Sequence, residues 1–167
     1  MEVTRKNSHL RPALFIALVM VAIHSWLHVN GQALNRVVLL AASLPMIVGI
    51  VYNVFQHAKA NPANTFGNNF AFGFRIAAVI TVIMVLFVVI FFKALPQYKD
   101  QLLDLLLKSA DKRDPGMDDD AVAKAVQDWD AHFLQRIVTI YIFLHIILGA
   151  ISAAIAAAIA TPKTKTI

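Results

Sequence analysis

The chain has 167 residues, of which 59% are apolar and only 15% are charged. A soluble domain usually carries about a quarter charged residues, so this composition excludes an ordinary soluble protein and favours a membrane protein. The net charge of +5 does not indicate a nucleic-acid groove, because every acid except Glu2 is an aspartate between Asp100 and Asp130. Without cysteine, the chain can form no disulfide, thiolate metal site or cysteine nucleophile.

Four apolar segments are long enough to cross a membrane, which requires roughly 20 mainly apolar residues. They cover about residues 12–29, 37–55, 75–92 and 137–160. We therefore predict one membrane domain over residues 1–167, all-α, in which the four helices form a bundle. Pro45 is expected to kink the second helix near its middle, because proline has no N–H to donate.

The first segment has a second interpretation as a signal peptide. Three basic residues, Arg5, Lys6 and Arg11, precede its short apolar run, and "GQA" at 31–33 loosely resembles a cleavage site. However, "HSWLHVN" at 24–30 is too long and bulky for a cleavage region. An uncleaved first span is therefore preferred.

Basic residues in the short flanks of the spans predict their orientation, since such residues concentrate on the cytoplasmic side. The flanks on one side contain Arg5, Lys6, Arg11, Lys59, Arg75, Lys163 and Lys165. The turn after the first span, on the other side, contains only Arg36. We predict that both termini are cytoplasmic and that segment 96–134 is on the outer side.

The third span begins with a mixed stretch, "TFGNNFAFGFRIA" at 65–77. Thr65 is a plausible N-cap. A helix from Phe66 would exceed the thickness of the hydrocarbon core, so its first turns should lie among lipid headgroups. Three phenylalanines at i, i+4 and i+8 form one aromatic stripe: Phe66, Phe70 and Phe74. Asn68 and Asn69 are expected to stay wet, and Arg75 to reach toward phosphates. This stretch is an interfacial anchor or, alternatively, a lipid-binding site.

The same stretch carries a family resemblance. Three later features accompany the pattern Phe-Gly-x-x-Phe-x-x-Gly-x-Arg at 66–75: Pro96 after the third span, "PGMDDDAVAKA" at 115–125, and a small-residue fourth span ending in lysines. Together these four features resemble a bacterial four-span family, domain of unknown function 4199. The resemblance implies an integral protein of the inner membrane, which makes segment 96–134 periplasmic. The resemblance implies no established activity. It suggests only a role in the cell envelope.

The segment 96–134 between the third and fourth spans is predicted to form an antiparallel helical hairpin. Leucines at helical spacing follow Pro96, "DPG" at 114–116 breaks the chain, and three aspartates at 118–120 begin a second helix. The aspartates also suggest calcium, but the glycine and distal glutamate of an EF-hand loop are missing. Surplus leucines on the first arm would offer a partner surface.

The fourth span has two faces of small residues. Gly149, Ala153 and Ala157 repeat every four residues, as do Ala150, Ala154 and Ala158. Small residues let membrane helices approach closely. One face is expected to pack within the bundle, which leaves the other for a homo-oligomer or another membrane protein.

Two histidines on different spans suggest a cofactor site. His24 and His145 lie about 8 Å and 12 Å from the outer ends of their helices, so they can meet at similar depth. Facing histidines can hold a b-type haem or a metal. Alternatively, they are structural and bond to neighbours such as Tyr141 or Ser25, and no carboxylate in any span would orient a metal-binding histidine.

No catalytic signature is present: the chain lacks a phosphate-binding glycine loop, a Gly-x-Ser-x-Gly elbow and a His-Glu-x-x-His motif. We therefore predict a non-enzymatic accessory or scaffolding subunit, in contact with membrane lipids and another membrane protein or a second copy. Nucleic acid, a catalytic residue and a dedicated metal site are not expected. The alternatives are a haem-binding electron-transfer subunit using His24 and His145, and a protein that binds a lipid or polyprenyl carrier through Arg75 and the phenylalanine stripe.

Overall fold

The computed structural model describes residues 8–32, 35–111 and 118–161, and every regular element in these ranges is an α-helix. The helices are α1 (Leu10–Val29), α2 (Arg36–Ala42), α3 (Leu44–Ala60), α4 (Phe66–Ala94), α5 (Gln97–Asp111), α6 (Asp119–Ala131) and α7 (Phe133–Ala160). Four helical stretches are long and apolar enough to cross a membrane: α1, Val37–Ala60, α4 and α7. The predicted all-α fold with four such helices is confirmed.

The second span is broken into α2 and α3 at Ser43, two residues before Pro45. Pro45 has no N–H, so the usual bond to the carbonyl four residues earlier is missing. The Ser43 carbonyl instead accepts from the N–H groups of Met46 and Ile47, at 3.1 and 3.2 Å, and starts a new helix. The kink predicted near the middle is therefore a helix break close to the start of the span.

The four spans form one bundle in which α3 and α4 each pack against both α1 and α7. The closest approach is between α4 and α7. A Cβ atom on Gly73 would lie 2.9 Å from the Cβ of Ala153, and one on Gly149 would overlap Ala77. Of the two small-residue faces of α7, the one with Gly149, Ala153 and Ala157 is buried inside the bundle.

The bundle has two distinct ends. At the end named here the hairpin end, α1 and α4 finish, α7 begins, and the hairpin of α5 and α6 is attached. At the opposite end, named the basic end, α1 and α4 begin and α3 and α7 finish. Residues 112–117, which include the predicted "DPG" break, lie outside the described residues.

The hairpin is joined across its arms by an ion pair between Lys99 of α5 and Asp130 of α6, at 2.5 Å. Leu102 and Leu103 are buried in the same core cluster as the bundle. The prediction that surplus leucines of this arm offer an exposed surface is therefore wrong for Leu103. That side chain instead packs α5 against the hairpin end of the bundle.

Candidate functional site

Two sites of different chemistry lie at the two ends of the bundle. At the basic end, a cavity of about 230 Å³ opens between the start of α1, the end of α3 and the first turns of α4. Its polar lining residues are Ser8, His9, His57, Asn64, Asn68 and Arg75. The chain turns sharply here because Thr65 caps α4, accepting at its hydroxyl from the N–H of Asn68 at 3.4 Å.

The polar lining of this cavity is basic or neutral throughout. Arg75 is exposed, and no carboxylate of the described residues pairs with it. His57 is held flat against Phe72, with ring centroids 4.0 Å apart and ring planes 6° from parallel. An arginine and two histidines thus share one cavity with amide donors, an arrangement that attracts anions.

The phenylalanine stripe does not belong to this cavity. Phe66, Phe70 and Phe74 stack in one column, with successive centroids 6.1 and 5.8 Å apart. An α-helix turns 100° per residue, so Arg75 projects from a different face of α4 than this column does. The structure separates Arg75 from the stripe, and Phe72 is the aromatic residue beside the arginine in the cavity.

Asn69 is fully buried, contrary to the expectation that it stays wet. Its side-chain amide donates to the Thr161 hydroxyl at 3.1 Å, and its oxygen accepts from Asn64 at 3.2 Å. These bonds connect the start of α4 to the end of α7 and to the turn that precedes α4. Asn69 therefore fixes the backbone that forms one wall of the cavity.

Toward the hairpin end, the two predicted cofactor histidines meet inside the bundle. His24 of α1 and His145 of α7 are 2% and 1% exposed, and their ring centroids are 6.3 Å apart. His28, one turn further along α1, lies against Phe91 and Phe92 of α4, each at 5.0 Å. The predicted approach of His24 to His145 is thus observed.

The hydrogen bonds of these rings define their free nitrogens. The Nδ1 atoms of His24 and His145 donate to the carbonyls of Met20 and Tyr141, at 2.9 and 2.7 Å. The Nε2 of His28 and the Tyr141 hydroxyl are hydrogen-bonded to each other at 3.4 Å. The Nε2 of His145 is buried and has no hydrogen-bond partner among the described residues.

A haem does not fit between His24 and His145 in this arrangement. The Tyr141 ring lies 5.8 Å from His24 and 5.4 Å from His145, so it stands beside the midpoint of the two imidazoles. The iron of a bis-histidine haem occupies that midpoint, and its macrocycle extends several ångströms around it. Tyr141 would have to move away before a porphyrin could bind.

Sequence reasoning found Arg75 but not its neighbours His9, His57 and Asn64. His57 lies 18 residues before Arg75, and only the turn between α3 and α4 brings the two together. The sequence could have indicated that His57 and Arg75 lie near each other. Helices joined by a short turn place the residues that flank the turn at the same membrane surface. His9, at the start of α1, depends on bundle packing and gives no such signal.

Four membrane-crossing helices in one bundle, with polar groups collected at one end and buried histidines toward the other, define a multi-pass membrane protein. Residues 12–161 match the sequence model of the family described as Protein of unknown function (DUF4199), and the chain belongs to that family. The resemblance given by the third-span motif is confirmed. No curated protein and no solved structure matches the chain.

Proposed function

We propose that the protein is a non-enzymatic subunit of the bacterial inner membrane that binds the phosphate group of an anionic lipid at its basic end. The observation that supports this function is the cavity shared by Arg75, His57 and His9, in which none of the described lining residues is a carboxylate. The guanidinium can form two parallel bonds to one phosphate. Asn68, Asn64 and Ser8 add uncharged donors around it.

The position of the cavity along the bundle suits a headgroup. With 29 residues, α4 is about 43 Å long, whereas the hydrocarbon core is roughly 30 Å thick. The first turns of α4, which carry Asn68 and Arg75, therefore extend into the phosphate layer. The long side chain of Arg75 can remain there while its stem contacts apolar surface.

A neighbouring cavity offers space for the remainder of an amphiphile. It has a volume of about 310 Å³ and shares Asn64 with the first cavity. Its apolar walls include Phe55 and Ile159, and Lys59 lies at its margin. A phosphate beside Arg75 and apolar carbons beside Phe55 together describe a lipid rather than a free anion, and a polyprenyl carrier has the same chemistry.

The test compares ligands and matched variants by native mass spectrometry of the delipidated full chain in detergent. Phosphatidylglycerol is expected to bind more tightly than phosphatidylcholine, and Arg75→Gln to weaken that binding roughly tenfold or more, as expected for a lost charged hydrogen bond. Lys93→Gln, which removes an exposed cation at the other end of α4, is the control and should bind normally.

Two outcomes would contradict a lipid site at Arg75. Equal weakening by Arg75→Gln and Lys93→Gln would indicate general charge attraction and overturn the site. Competition by inorganic phosphate at the same concentration as the lipid would show that the cavity takes free phosphate, which removes the lipid from the proposal.

As an accessory subunit, the protein would also contact other proteins, and it would do so through surfaces outside this cavity. In α7, Ala150 and Ala154 are half-buried and Ala158 is exposed, so this second small-residue face can receive a second copy or another membrane subunit. Enlarging Ala154 to leucine should release such a partner from the purified complex. Retention of every co-purifying subunit in that variant would contradict a contact at this face.

A haem-binding electron-transfer subunit is the alternative function, favoured by the approach of His24 to His145 and opposed by the position of Tyr141. It predicts a visible absorption band in protein purified from its host, and loss of that band in His145→Ala.

A further inference from the structure

We infer that His24 and His145 form a two-coordinate site for one Cu(I) ion inside the bundle. This site is separate from the lipid cavity, since none of the residues that line that cavity takes part in it. The inference depends on the geometry of the two rings, on the unsatisfied nitrogen of His145, and on the absence of negative charge from the spans.

The two ligand atoms are the Nε2 nitrogens. A backbone carbonyl can only accept, so the bonds to Met20 and Tyr141 place the proton of each ring on Nδ1. Each Nε2 therefore carries a lone pair in the neutral ring, the form that binds metals. The same backbone bonds orient the rings, as second-shell carbonyls do in metal sites.

The Nε2 of His145 is the atom that most directly indicates a ligand. Buried polar atoms are nearly always paired, because leaving one without a partner destabilises the fold. His145 is 1% exposed, and none of the described side chains donates to this nitrogen. The hydroxyl of Tyr141 is hydrogen-bonded to His28 instead, at 3.4 Å.

The separation of the rings matches a single ion. Metal–nitrogen bonds to histidine are about 2 Å long, so two imidazoles on opposite sides of one ion have centroids roughly 6 Å apart. The observed distance between His24 and His145 is 6.3 Å. Unlike a porphyrin, a single ion needs no plane of free space, so Tyr141 can remain where it is.

Coordination number and charge select the metal. Zinc takes four ligands as a rule, and the described residues contain no group of three or more histidine, aspartate or glutamate side chains that could hold an ion. No acid occurs between Val3 and Lys99 or after Asp130, so nothing in the spans neutralises a dication. Monovalent Cu(I) accepts two nitrogen ligands and carries the smallest charge.

Both rings are closed to water, and the core of the bundle contains several methionines. Met20, Met46 and Met84 are fully buried members of the same core cluster. Thioether sulfur and imidazole are both ligands that suit copper. A closed apolar shell of this kind also excludes the water that would favour oxidation to Cu(II).

The experiment is an anaerobic competition in detergent, in which the metal-free full chain withdraws Cu(I) from its complex with bicinchoninate. The wild type should take up one equivalent. His24→Ala and His145→Ala should each weaken uptake roughly tenfold or more, the size of effect that even outer-shell changes produce. The control is His132→Ala, which removes an exposed histidine outside the pair and should leave uptake unchanged.

Folding is checked independently, because a buried histidine is replaced. His145→Gln retains a polar side chain of similar size, and its helicity and elution volume should equal those of the wild type while copper uptake is lost. No uptake by the wild type, equal uptake by all variants, tighter binding of Zn(II) than Cu(I), or a haem band in host-derived protein would each overturn the inference. These results are independent of lipid binding at Arg75.

Discussion

Gly73 of α4 and Ala153 of α7 touch with no room for another carbon between them. A Cβ atom at Gly73 would lie 2.9 Å from the Cβ and 3.3 Å from the Cα of Ala153. The second contact is with backbone, which cannot rotate away. The alanine-rich end of α7 therefore serves the closest helix pair of the bundle, and its small residues are a requirement of packing.

Gly73→Ala is expected to destabilise the protein. Overpacking costs about 1–3 kcal/mol, which exceeds the roughly 0.5–1 kcal/mol gained when alanine replaces a helical glycine. Thermal unfolding in detergent should show a lower midpoint. The matched control is Gly67→Ala, where the nearest atom to a new Cβ is the Thr65 hydroxyl at 3.9 Å. That variant should be neutral or slightly more stable, and equal losses in both would contradict the packing argument.

Asn69→Ala should weaken the attachment of α7 to the start of α4. The substitution leaves the Asn64 amide and the Thr161 hydroxyl each one bond short, at a cost of about 1–3 kcal/mol. Thr161→Val tests the pair, because a double-mutant cycle should show a clear coupling energy between positions 69 and 161. Additive effects would show that the bond of 3.1 Å contributes nothing. The neighbouring exposed side chain of Asn68 provides a control, and Asn68→Ala should change stability little.

The junction between the hairpin and α7 should respond to acid. A hydrogen bond from Arg136, with smaller contributions from His132, holds the pKa of Asp128 below its ordinary value. A depressed pKa in the folded state means that Asp128 stabilises the fold above the ordinary aspartate pKa of about 3.9, and that this stabilisation is lost as pH falls through the lower folded value.

Trp129 reports this change, since its ring lies 4.7 Å from the guanidinium carbon of Arg136. In a Trp26→Phe background it is the only tryptophan, and its emission should shift below about pH 4. Asp128→Asn should remove that transition. A titration that is the same in both proteins would place its cause elsewhere.

The proposed orientation can be tested by cysteine labelling, because the natural chain has no cysteine. Asp120→Cys, in α6 of the hairpin, should react with a membrane-impermeant maleimide in intact cells. Ala63→Cys, in the turn between α3 and α4, should react only after the membrane is permeabilised. The reverse pattern would invert the topology, and labelling of both from outside would contradict an odd number of spans between them.

The sequence predicts the parts of this structure that depend on local apolar length and helical rise. The four spans follow from hydropathy, and the meeting of His24 with His145 follows from counting about 1.5 Å per residue. The break at Ser43 differs from the predicted kink because a new helix, α3, begins one residue before the proline. The separation of Arg75 from Phe74 was also readable, since adjacent residues of a helix project about 100° apart.

The remainder depends on contacts that no local pattern encodes. Asn69 is buried because Thr161, 92 residues later, lies beside it. In the sequence it has the same surroundings as Asn68, which is exposed. Likewise, both small-residue faces of α7 have the same four-residue spacing, and only the position of α4 decides which of them is buried.

The close packing of α4 against α7 bears on how the position of α1 affects both ends of the bundle. Gly73 and Gly149 hold α4 and α7 at the shortest distance in the bundle, and α1 packs on the other side of α4. The cavity at the basic end contains His9, just before α1, and the buried pair contains His24 of α1. A change in the tilt of α1 would therefore alter the geometry of both places at once.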